Sequence, residues 1–172
     1  SGLCLCLQCN QYKRHGNSKR YPGDALNNPS TCAVTGAIGS LLNRYSNFTL
    51  KPSPELSQTS SFPLSVQVGT CAGNYFNASK VYIDYNQNGS FTDAGENVYT
   101  SASSTSGPHT ESTTIVIPAD AILGHTLMRV VTVETSPASI NSCGTYDYGE
   151  TEDYVVNIVG PPCSGIPSAS TT

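Results

Sequence analysis

The sequence has no tryptophan, one methionine, four phenylalanines, and only 12% Asp, Glu, Lys and Arg together. Helical domains draw heavily on Leu, Met, Glu, Lys and Arg, so this shortage argues against helices. Long apolar runs are also missing, and no segment approaches the ~20 residues of a membrane-spanning helix. There is no glycine-rich phosphate loop and no dinucleotide fingerprint. Only three histidines occur, His15, His109 and His125. All three read as turn residues, and none stands in a Ser/His/Asp or Cys/His arrangement. The usual supports for a hydrolase or a nucleotide-dependent enzyme are therefore absent.

What the chain has is punctuation and tyrosine: fifteen Gly, eleven Pro and ten Tyr in 172 residues, with abundant Ser and Thr. Short β-like windows recur between Gly/Pro/Asn clusters, namely 45–50, 63–69, 81–86, 96–100, 112–118, 126–134 and 152–159. In PLSVQVG, Leu64, Val66 and Val68 alternate onto one face. Such spacing predicts an all-β fold, an antiparallel β-sandwich of jelly-roll or immunoglobulin-like type. PADAILG (118–124) is the one place where a helical turn is expected. The expected organisation is an N-terminal arm over 1–20, a linker over 21–31 (its core YPGDALNNPS), a sandwich over 32–160, and a Pro/Ser/Thr tail over 161–172.

The arm opens SGLCLCLQCN, and at a strand's period of two it is apolar on both faces. Leu3, Leu5 and Leu7 alternate with Cys4 and Cys6 before Cys9, so the segment asks to be buried on both sides by a protein surface. Charge is uneven as well. Lys13, Arg14, Lys19 and Arg20 give the first 23 residues +4, while the remainder, with all twelve acids, carries −8. Without a recognition motif this basic stretch does not support nucleic-acid binding; a solvated loop, or attraction between one copy's arm and the next copy's body, fits better.

Seven cysteines, at 4, 6, 9, 32, 71, 143 and 163, suggest an oxidising, extracellular setting. Their number is odd, so one thiol stays free or pairs outside the chain. Cys4 and Cys6 point to one side of a strand and are poorly placed to bond each other. Zinc ligation by the Cys-x-Cys-x-x-Cys run and His15 suits an apolar strand less well than disulfides do.

DYNQNGSFTDAGE (84–96) is the window richest in chemistry. Asp84, Asn86 and Asn88 place oxygens at alternate positions, Gly89 permits a sharp turn, and the Ser90 carbonyl follows. This is the opening of the oxygen-rich Ca²⁺ loop D-x-[DN]-x-[DN]-G. The closing acid comes one residue late, as Glu96, with Asp93 as an additional ligand. Calcium tolerates irregular geometry, so a calcium-stabilised hairpin of modest affinity is expected, against the simpler reading of an Asn/Gly-rich turn. Asn47, Asn77 and Asn88 head Asn-x-Ser/Thr sequons and are candidate glycan sites. Ser/Thr glycans on the tail or surface loops are an equal alternative.

VYIDYNQNGSFTDAGENVYT, IPADAILGHTLMRVVT and CGTYDYGETEDYVVNI, in this order, resemble the GEVED domain, an extracellular β-sandwich module of secreted and cell-surface bacterial proteins. The naming motif reads Gly149, Glu150, Thr151, Glu152, Asp153, Tyr154, with Thr for the usual Val, and the likeness runs from about 45 to 158. The resemblance implies a non-catalytic accessory domain in which the loop and final-strand acids are structural. The residues agree: in a strand starting at Glu152, Tyr154, Val156 and Ile158 share one face while Asp153, Val155 and Asn157 take the other, which puts Asp153 within reach of a loop cation or a backbone amide. Cys71 and Cys143 flank the matched core and are the first expected disulfide; Cys32 with Cys163 would fasten its ends. Glu150 and Glu152 share a strand face, the arrangement of a glycosidase pair, but a solvated or salt-bridged strand start is the simpler reading.

Two functions follow. One is a structural subunit polymerising head to tail as its N-terminal strand enters a neighbour's sheet. The other is a monomeric adhesion or glycan-binding module whose arm folds back on itself.

Overall fold

The computed structural model describes residues 4–9, 28–30, 32–71 and 73–161. Eleven strands are present among them: β1 (Cys4–Cys9), β2 (Asn28–Pro29), β3 (Tyr45–Asn47), β4 (Glu55–Ser57), β5 (Ser61–Cys71), β6 (Phe76–Ile83), β7 (Asn97–Thr100), β8 (Thr105–Ser106), β9 (His109–Val116), β10 (Gly124–Val133) and β11 (Gly149–Val159). They form two sheets, one ordered β2-β1-β5-β9 and a larger one ordered β3-β11-β10-β6-β7, with β4 beside β11 and β8 beside β6.

Alternation builds the core between the sheets. Leu64, Val66 and Val68 of β5 and Ile115 of β9 face Val81 and Ile83 of β6, Met128 and Val130 of β10, and Tyr154, Val156 and Ile158 of β11. All are buried, and each full burial of a side chain this size contributes about 1.5–3 kcal/mol. The expected β-sandwich is thus present. Its pairings are antiparallel except at one edge, where β3 and β4 run parallel to β11.

The larger sheet is covered on its second face too. Ala78, Tyr82, Val131 and Val133 pack there under Phe91, from the 84–96 loop, and Ile140, from the loop after β10. This explains why VVTV at the end of β10 is buried residue after residue, the pattern of a strand enclosed on both faces. The helical turn expected over 118–124 does not form. That segment makes a plain turn into β10, and the one helical element among the described residues is a 3₁₀ turn at Pro137–Ser139. His109 and His125 lie within β9 and β10 rather than in turns.

The arm strand is placed. β1 pairs antiparallel with β5, Leu5 opposite Thr70, Leu7 opposite Val68 and Cys9 opposite Val66, and it lies across β11 of the facing sheet. On its far side β2 pairs only with Gln8 and Cys9. Residues 1–3, 10–27, 31, 72 and 162–172 lie outside the described residues, so Leu3, the arm's basic residues, His15 and Cys163 do as well.

Candidate functional site

The acids of the body gather at two places, the 84–96 loop and the motif at the start of β11.

The loop joins β6 to β7 on the rim of the larger sheet. Left-handed backbone at Gln87, Gly89 and Gly95, which costs glycine little, curls it so that its oxygens turn toward its own amides. Asp84 is buried, and its carboxylate accepts from the amides of Asn88 (3.2 Å) and Gly89 (2.9 Å). Asn86 Oδ1 also accepts from the Asn88 amide at 3.1 Å, and Asn88 Nδ2 donates to Asp93 Oδ2 at 2.8 Å. Side-chain hydrogen bonds from Asn88 first, and then from Asn86, hold the Asp93 carboxyl below the ordinary range. Ser90 turns its hydroxyl to Thr92 instead.

Glu96 closes the ring. It is 2% exposed; Oε1 accepts a long bond from the Asn86 amide, 3.4 Å, and Oε2 has no hydrogen-bond partner. Burial first, then the charges of Asp84 and Asp93, push its carboxyl above the ordinary value. A buried carboxylate oxygen without a donor is costly, and a cation at this point would relieve it. No three His, Cys, Asp or Glu side chains are preassembled for a metal among the described residues. A cation would therefore need the Asn and backbone oxygens as well as the acids.

The β11 motif is built into the fold. A side chain at Gly149 would meet Val133 Cγ1 at 2.4 Å and the Thr132 carbonyl oxygen at 2.6 Å, with φ at +156°, so the close approach of β11 to its partner β10 at the Gly149–Val133 pair requires glycine. Tyr154 stacks on Phe48, ring centroids 5.3 Å apart. Asp153, on the outer face, lies opposite Arg129. The guanidinium donates from Nε to Oδ1 (2.7 Å) and from a terminal nitrogen to Oδ2 (2.6 Å), the bidentate fork characteristic of Arg. Tyr45 donates its hydroxyl to the same carboxylate at 2.9 Å; burial and then Asp153 push that phenol up to about 12, so it remains a donor. Arg129 also reaches the Ser142 carbonyl and lies 5.0 Å above the Phe91 ring. Asp153 thus holds an arginine rather than a loop cation or a backbone amide.

Glu150 and Glu152 point inward, 3% and 0% exposed, not into solvent. Ser30 Oγ lies 2.8 Å from Glu152 Oε1 and 3.1 Å from Glu150 Oε2. Ser46 donates to Glu150 and Tyr154 to Glu152, each at 2.5 Å. Burial, then Glu150, raises the Glu152 carboxyl to about 8. An acid pair sealed in this way has no room for a saccharide between its members, so the glycosidase arrangement does not apply.

The cysteine pairing differs from expectation. Cys71 bonds Cys32, with Cα atoms 6.0 Å apart, and Cys143 is exposed and free. The Cys71–Cys143 pair fails because a whole sheet separates them: Cys71 ends β5 in the small sheet, while Cys143 sits beside Arg129 on the outer face of the large one. Cys32, being taken, is unavailable to Cys163. Asn77 is fully buried, so its sequon is out of reach in the folded chain. Asn47 is half-buried and bonds Thr49 and the Ile38 carbonyl, and Asn88 is exposed.

Arg129, Tyr45, Ser30 and Ser46 were not foreseen from the sequence. The available signal was a lone Arg amid the apolar run TLMRVVTVE, since a cation in a strand buried on both faces needs a partner.

The GEVED domain family matches residues 78–157, which span β6 to most of β11 and include both the loop and the motif. The chain is similar in structure to a solution structure of the CARDB domain of a Pyrococcus furiosus protein (11% identity, TM-score 0.38, covering 61% of this chain and 85% of that one). It is similar also to a crystal structure of that CARDB domain in complex with di-metal ions (10% identity, TM-score 0.40, covering 62% and 81%). No curated protein matches.

Proposed function

We propose that this chain is a non-enzymatic, extracellular structural subunit that polymerises head to tail, the β1 strand of one copy occupying the slot beside β5 of the next. The observation that carries the reading is the β1–β5 pairing, six residues long. An arm strand completes the sheet, and residues 10–27 connect it to the body. A strand that pairs so completely with β5 in its own chain makes identical backbone bonds with β5 of another copy, the exchange that underlies domain swapping. The GEVED match supports an extracellular module. Among the described residues no helix is long and apolar enough to cross a membrane.

Removal of residues 1–9 is expected to leave a folded chain that no longer assembles, measured by light scattering. Unchanged oligomers would favour the alternative reading, a monomeric adhesion or glycan-binding module, with surface glycans on Asn47, Asn88 or Ser/Thr an addition that either reading allows.

The same proposal assigns Ca²⁺ to the 84–96 loop, held by Asp84, Asn86, Asn88, Asp93, Glu96 and the Ser90 carbonyl. Support comes from the buried, unpartnered Glu96 oxygen and from the D-x-N-x-N-G opening. At a calcium concentration a hundredfold above Kd, binding contributes about 2.7 kcal/mol. Chelation should then lower Tm by roughly 5–10 °C in a chain of this size, and Asp84→Ala should remove the dependence. A melting curve indifferent to chelator returns the loop to an Asn/Gly turn.

A further inference from the structure

The only described side chain that joins the linker to the body's acids is Ser30, and its hydroxyl stands between two buried glutamates. Ser30 follows β2 directly, and β2 pairs with β1. The acid pair therefore grips the end of the linker, next to the strand that pairs with the arm.

The surroundings make proton occupancy decisive. From β10, Thr132 and Val130 stand at the register positions opposite Glu150 and Glu152. From β3 come Ser46, bonded to Glu150, and Tyr45, whose hydroxyl is turned to the other face. Asp153 and Arg129 neutralise each other on that outer face. On β11 itself Tyr154 donates to Glu152. β1 crosses β11 with Cys4, Cys6 and Cys9 as its titratable residues. Glu152 is fully buried next to Glu150, and two adjacent carboxylates do not both ionise in a dry site.

We propose that the Glu150–Glu152 pair is a proton-operated latch on the arm: protonated, it holds Ser30 and, through it, the adjoining β2 and the β1 strand paired with β2, and on losing its proton it releases them. Ionised Glu152 is best relieved by water, and the covering segment 28–30 is the part of its enclosure that can leave without opening the body's sheet. The latch bears on assembly, because a strand that exchanges must first leave its own sheet. It is nonetheless a property of the single chain and stands or falls apart from polymerisation.

The sign follows from linkage. In the closed state Glu152 keeps its proton up to about pH 8, whereas in the open, wet state it ionises near the ordinary glutamate value, about 4.3. Opening therefore increases by about tenfold per pH unit between these two values and levels off above the higher one.

The test is hydrogen–deuterium exchange on the full chain, diluted below its assembly concentration, from pH 5 to 9 with correction for intrinsic rates. Expected is a progressive loss of protection at residues 4–9 and 28–30 up to about pH 8, with β6 and β10 amides unmoved. Glu152→Gln should flatten that profile. Should the glutamine variant lose its β10 protection, Ser30→Ala decides instead, expected to free the arm even at pH 5 with β10 intact. A wild-type arm indifferent to pH, a Glu152→Gln profile like the wild type's, or a Ser30→Ala arm as protected as the wild type's overturns the latch.

Discussion

Asp153→Ala is expected to destabilise the chain by about 3–5 kcal/mol, the cost of removing one partner from a buried ion pair. The Arg129 and Asp153 side chains are only 19% and 6% exposed. Removing the carboxylate leaves the guanidinium committed to the Ser142 carbonyl and the Phe91 face without its counter-charge, and leaves the Tyr45 hydroxyl without its acceptor. Three elements then lose their common anchor: β3, β10 and the loop after β10. Thermal or urea unfolding measures this, and a drop in Tm of 10 °C or so is expected for a protein of this length. A loss under about 1 kcal/mol would mean that the pair is solvated as a surface bridge is.

The second large effect is covalent. Cys32 and Cys71 lie 39 residues apart, and the chain-entropy relation for a loop of that length gives about 4 kcal/mol of stabilisation through the unfolded state. Replacing both with Ala should lower the unfolding free energy by about that amount. The bond ties the start of the body to the end of β5, so its loss should also loosen the 32–44 segment first. Ser substituted at Cys143, exposed and free, serves as the control and should leave stability within about 0.5 kcal/mol of the parent. If the Cys143 variant instead falls as far as the double variant, the pairing described above is contradicted.

The sandwich was legible because its signal is local. Leu64, Val66 and Val68 alternate, and Tyr154, Val156 and Ile158 do so again, each predicting an inward row that the structure contains. The GEVED likeness was legible because its motif is contiguous. Cysteine pairing was not, since it depends on which sheet carries Cys71 and which face carries Cys143, and neither is encoded near those residues. Glu150 and Glu152 likewise resembled a wet strand start, because the residues that bury them, Ser30 and Ser46, are over a hundred positions away. The partner of Asp153 was illegible for the same reason: Arg129 is its cross-strand neighbour only once the β10–β11 register is known. In the 84–96 loop the D-x-N-x-N-G spacing was legible as an oxygen-rich turn, and the structure adds the unpartnered Glu96 atom.

Under the proposed assembly, the strand at residues 4–9 of one copy lies beside β5 of another. The direct measurement mixes isotopically heavy and light chains, lets them assemble, cross-links them, and reads by mass spectrometry which chain contributes each partner of the β1–β5 contact. Heavy-to-light links between residues 4–9 and β5, at the statistical proportion for exchange between copies, are the expected result. Links found only within chains of one isotope would contradict the claim and leave the arm as a strand of its own sandwich.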